Sequence, residues 1–84
     1  MSPKNVLLEQ DFKDALERAK AEISQDDRAT EIIKSMRPGK VKQVDRRQLE
    51  KLNKLAILGV IYLYMNNTYE LSRLGIRLIR LLLL

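Results

Sequence analysis

The sequence predicts an all-α domain of three or four helices, the C-terminal two forming a hydrophobic hairpin or bent rod. Three observations lead there. Apolar residues recur at helical spacing through the first third of the chain, Pro38-Gly39 interrupts that pattern, and Leu55 to Leu84 hold far more apolar surface than the remainder can cover.

Residues 1–36 form an acidic amphipathic region. Ser2-Pro3 or Asn5 supplies the start signal of a helix that runs to about Ile23. Leu8, Phe12, Ala15, Leu16, Ala19 and Ile23 make its apolar stripe, while Glu9 with Lys13, Lys13 with Glu17 and Asp14 with Arg18 pair along a solvated face. Ser24 with Asp27 three places on resembles a capping box that restarts or kinks the helix, and a second piece to about Met36 turns Ala29, Ile32, Ile33 and Met36 inward. One continuous helix from Asn5 to Met36 is the competing arrangement. Arg37-Pro38-Gly39 ends either one, because Pro-Gly favours a turn and the residue before proline is pushed out of the helical region.

Residues 37–44 read as a basic turn or loop. Lys40 to Val44 alternates polar and apolar residues as an extended segment does, but is too brief to make a sheet. Residues 45–84 return to helix. Asp45 with Gln48 is a start signal, and Leu49, Leu52, Leu55 and Ala56 supply the first apolar stripe. The uncharged run Leu55 to Met65 is too short for a bilayer, which needs about 20 residues, and reads as a buried core helix with Gly59 in its middle admitting a close neighbour. Thr68 is the expected cap of the last helix. On that helix Leu71, Leu74, Leu78, Leu81 and Leu82 form a broad apolar face, and Glu70, Arg73, Arg77 and Arg80 fall within an arc of roughly 80°.

At 84 residues the chain makes one domain, 1–84, and a lone monomer of this size is marginal. Cys and His are both absent, which removes disulfides, thiolate metal sites and the commonest general base together. No catalytic constellation, metal site or cofactor motif is present, so a non-enzymatic protein with no cofactor is expected. Asp26-Asp27 with Glu31 lacks the glycine and alternating ligands of a calcium loop and reads as a helix start. The N-terminus lacks a secretory apolar core, so a cytoplasmic place, or one within a virion, is expected.

Charge carries the functional reading. The formal net charge is +5, and the excess falls in residues 37–54. Arg37, Lys40, Lys42, Arg46, Arg47, Lys51 and Lys54 form a candidate nucleic-acid-binding patch around a turn and a helix start, suited to phosphates and independent of base sequence. No aromatic residue interleaves with these cations, which points to duplex backbone contact rather than base stacking. Arg73, Arg77 and Arg80 read as structural cations paired with the acidic first helix. Leu71, Leu74, Leu78, Leu81 and Leu82 are the candidate protein interface, docking on a partner or on a second copy. The expectation is a small basic accessory subunit or binding module. A second reading is a virion coat or filament subunit that polymerises through its apolar helices, and a third is a peripheral membrane protein.

Overall fold

The computed structural model describes residues 3–82, and side-chain environments from Gln10 to Leu82. The fold is not purely helical: four helices and a three-stranded antiparallel sheet share one hydrophobic core, so the all-α expectation is corrected to a mixed α/β domain. The proposed cap at Ser2, the side chain of Leu8 and the terminal Leu83-Leu84 lie outside the described residues.

Helix α1 spans Pro3–Ser24 and α2 spans Asp27–Ser35, which makes residues 5–36 two helices rather than one. Asp26 separates them. Its backbone is extended, with φ −125° and ψ 101°, and its carboxylate accepts the Ala29 N–H at 3.1 Å, so Asp26 rather than Ser24 is the cap. Thr30 Oγ1 donates to the Ile23 carbonyl at 2.7 Å and ties the new helix to the end of the old one. Beyond α2, Gly39 takes φ 76° and the Lys40 N–H returns to the Arg37 carbonyl at 3.1 Å, which is the type II turn that Pro-Gly favours.

The brief segment after that turn does join a sheet. Strand β1, Lys42–Gln43, pairs with β3, Thr68–Leu71, in the register Lys42 with Tyr69 and Gln43 with Thr68. Its partner lies some way along the chain, so no local pattern announces the pairing. A 3₁₀ turn, Arg46–Gln48, capped by Asp45, leads into α3, Leu49–Ile57.

The expected core helix through Met65 stops short. Gly59 has φ 84°, its N–H bonds the Ala56 carbonyl at 3.0 Å, and the Val60 N–H reaches back to the Leu55 carbonyl at 3.0 Å. This paired closure is a Schellman motif with glycine at the left-handed position, and Leu55 and Val60, the apolar pair that accompanies it, are both fully buried. Ile61–Leu63 then forms strand β2, as β-branched and aromatic residues prefer. Met65–Asn67 make a three-residue hairpin loop: the Asn67 N–H bonds the Tyr64 carbonyl at 3.2 Å, and Asn67 itself is left-handed at φ 64°. Thr68 is therefore a strand residue, not a helix cap.

The last helix, α4, spans Arg73–Leu82 and begins at Ser72. Ser72 is buried; its Oγ accepts the Gly75 N–H at 3.1 Å and donates to the Gly59 carbonyl at 2.5 Å, joining the end of α3 to the start of α4. Gly75 is pressed against the backbone just before β2 so closely that a Cβ there would lie 2.0 Å from the Val60 carbonyl oxygen. The core between helices and sheet is built from Ile23, Ile33, Met36, Leu52, Leu55 and Leu78. No helix among the described residues is long and apolar enough to cross a membrane.

Candidate nucleic-acid interface

The seven cations of residues 37–54 separate into two groups, and the dividing element is α2. Its C-terminal carbonyls have no partners within the helix. Arg37 donates through Nη1 to the Lys34 carbonyl at 3.0 Å and the Met36 carbonyl at 2.9 Å, and the Lys42 ammonium lies 3.4 Å from the Ser35 carbonyl and 3.3 Å from its hydroxyl. Positive charge at a helix C-terminus also suits the macrodipole. At the other end, Asp26 accepts Lys51 Nζ at 2.8 Å and Lys54 Nζ at 3.3 Å while capping the helix. The Lys51 hydrogen bond, followed by that of the Ala29 N–H, holds the Asp26 carboxyl far below the ordinary carboxylate range, with Lys54 contributing less. Four members of the expected patch thus complete the two ends of one helix.

Lys40, Arg46 and Arg47 remain exposed. Arg47 approaches Asp45 at 3.4 Å, but its side chain is 90% exposed, so this contact holds the guanidinium only loosely. Asp45 is the cap of the 3₁₀ turn: the Arg47 N–H, at 3.0 Å, and then the Arg47 side chain lower its pKa. The turn presents Arg46 at the edge of an open depression of about 580 Å³ shared with Gln43, Val44, Leu49 and Asn67. The β1–β3 pairing creates this neighbourhood, since the Val44 N–H bonds the Asn67 carbonyl at 2.8 Å and draws the hairpin tip against the 3₁₀ turn. Arg46 is thereby placed beside two side-chain amides that sequence separation had hidden. Neither Gln43 nor Asn67 carries a charge that would mark it for this site in the sequence.

The outward face of the sheet adds aromatic surface. Tyr62 and Tyr64 are exposed, with ring centroids 6.4 Å apart and planes inclined at 41°, and Met65 is wholly exposed at the tip. The Tyr64 hydroxyl donates to Glu70 Oε1 across the hairpin, and that carboxylate raises the phenol pKa. Tyr69, on the opposite face, is buried, which pushes its pKa up, with the Asp45 charge adding to the effect.

Two further expectations are revised. Arg73, Arg77 and Arg80 are exposed, and among the described residues none of them joins an ion pair with α1. They stand beside an open groove between α1 and α4, of about 640 Å³, floored by Phe12, Leu16 and Ile76 with Lys13 on the α1 side. Of the candidate interface leucines, Leu71, Leu74 and Leu78 are buried in the chain's own core, Leu82 is half-buried, and Leu81 alone is exposed, at 41%. The apolar face that sequence periodicity assigned to a partner is thus mostly the inner face of the domain. Among the described residues no group of three or more acidic side chains converges to hold a metal ion, and Asp26 serves α2 as its cap. Compared with protein-family models, curated proteins and solved structures, the chain matches none.

Proposed function

We propose that this protein is a non-enzymatic accessory module that grips the nucleic-acid backbone, duplex in form and without base-sequence preference, through Arg46, Arg47 and Lys40. The observation that carries this reading is the juxtaposition of exposed Arg46 with the amides of Gln43 and Asn67 on a hydrogen-bonded strand and hairpin tip. Guanidinium and amide donors on one firm surface suit phosphate oxygens, and phosphate contacts position a protein without reading sequence. Lys51, Lys54, Arg37 and Lys42 leave the predicted set, being engaged at α2. A second reading, a subunit that assembles along nucleic acid, draws support from β2, which lies at the sheet edge and has no charge in Ile61–Leu63.

The test is fluorescence anisotropy of a labelled generic duplex over a range of salt concentrations. Affinity is expected to fall steeply with salt, log K losing about 0.9 per log unit for each phosphate contacted. Arg46→Ala is expected to reduce that slope by about one contact. Absence of binding at low salt, or full affinity in an Arg46→Ala/Arg47→Ala protein, refutes the assignment.

A further inference from the structure

The groove between α1 and α4 has features that the nucleic-acid reading does not use. Its floor is apolar, made by Phe12 and Leu16 from α1 and Ile76 from α4, all half-buried and open to solvent. Its α4 side is a row of arginines, Arg73, Arg77 and Arg80, and Lys13 adds a cation from α1. None of these four makes an ion pair among the described residues. From Arg73 to Arg80 the row extends about 10 Å at 1.5 Å per residue. That is two turns, the length over which carboxylates at positions i, i+3 or i+4, and i+7 of another helix would stand opposite.

We propose that this groove receives an acidic amphipathic helix of a partner protein, its apolar face on Phe12, Leu16 and Ile76 and its carboxylates on Arg73, Arg77 and Arg80. Charge complementarity selects this occupant. A second copy offers no such row from α1, because its exposed residues alternate in sign through Asp11, Lys13, Asp14, Glu17, Arg18 and Lys20. A nucleic-acid backbone would meet the arginines but leave the apolar floor uncovered. Apolar anchors at helical spacing with a charged rim are the elements of helix-in-groove recognition, and the rim charges would set partner choice and association rate. This inference supplies the partner chemistry for the accessory-module reading, and the groove shares no lining residue with the depression at Arg46, so the two fail separately.

The experiment is an anisotropy titration of the full chain with a labelled synthetic helical peptide carrying leucines at i, i+3 and i+4 spacing, flanked by glutamates. A scrambled peptide of the same composition is the control. Saturable binding that weakens with salt is expected, with the scrambled peptide at least about tenfold weaker, a difference of about 1.4 kcal/mol. Arg77→Glu and Arg73→Glu/Arg77→Glu are expected to lose at least about tenfold in affinity, while Arg46→Ala binds as the parent does. These side chains are exposed, and circular dichroism confirms that the variants are folded; Arg77→Gln, which is expected to show an intermediate loss, guards against a charge-reversal artefact. Equal binding of the scrambled peptide, or parental affinity in the double variant, overturns the proposal. So does any finding that Arg77→Glu abolishes duplex binding, sedimentation with phosphatidylglycerol vesicles or a homodimer while the peptide remains unbound.

Discussion

Around α2, four cations are bonded in place: Arg37 and Lys42 at its C-terminal carbonyls, Lys51 and Lys54 at its N-cap aspartate. Along α4, three arginines of the same formal charge stand in solvent beside an apolar groove. The sequence suggests the reverse, a free patch in the first region and paired arginines in the second. The difference lies in what surrounds each cation. A short helix leaves orphan carbonyls and a capping carboxylate, and nearby lysines and arginines complete them. The polar side of an amphipathic helix whose apolar side is already buried offers its arginines nothing comparable.

The sharpest way to break this comparison is to move the platform on which the α4 row stands. Gly75→Ala forces a Cβ against the Val60 carbonyl oxygen, 2.0 Å away, with Leu71 Cδ2 at 2.9 Å. Overpacking typically costs about 1–3 kcal/mol, and a clash with backbone belongs at or above the top of that range. Chemical denaturation is expected to show the largest loss of any substitution considered, and the duplex and peptide affinities fall together as the folded fraction falls. A Gly75→Ala protein of parental stability would mean that α4 does not seat on the Val60 backbone as described.

Next in size is the hub at the head of α2. Asp26→Asn removes the charge that Lys51 and Lys54 share, and the denaturation midpoint is expected to drop more than in Lys51→Ala or Lys54→Ala singly. Its pH dependence has a definite sign. The Asp26 carboxyl sits below its ordinary value of 3.8 in the folded chain, so the unfolded chain binds this proton more readily. The stabilisation is complete above that ordinary value and is lost as pH falls through the folded pKa. Melts from pH 6 down to about pH 2 are expected to show a smaller acid-induced loss in Asp26→Asn than in the parent. An equal loss in both would remove Asp26 from the hub.

The smallest effect completes the contrast. Arg77→Glu, on the exposed row, is expected to change stability by no more than about 0.5 kcal/mol, while Lys51→Ala, among the bonded cations, lowers stability measurably and leaves duplex affinity unchanged. If both substitutions behaved alike in melts and titrations, the distinction between the two regions would collapse.

Much of the helical scaffold was readable in advance because its signals are local. The Ala19–Ile23 stripe, the apolar face of α2, the Pro38-Gly39 turn and the start at Asp45 each depend on residues within a turn or two. The sheet is not legible in the sequence: Lys40 to Val44 reads as too brief to pair, Thr68 reads as a helix cap, and the second strand lies inside an apolar run. Gly59-Val60 followed by Ile61-Tyr62-Leu63-Tyr64 contains both a helix stop and a strand propensity, yet an uncharged run of that length also fits a buried helix. The candidate site was legible only in part: Arg46 and Arg47 were marked by charge, but Gln43 and Asn67 became their neighbours through long-range pairing.

By itself, then, the sequence determined a small basic chain without thiols or imidazoles, a helical N-terminal region, a Pro-Gly break and a surplus of apolar residues toward the C-terminus. These follow from composition and from periodicities that act over a few residues. Only the tertiary structure decided that Leu71, Leu74 and Leu78 face inward, that a two-residue strand completes a sheet, and which cations stay exposed. Burial and ion pairing depend on which distant segments meet, and hydrophobic pattern and net charge leave that choice open until the chain has folded.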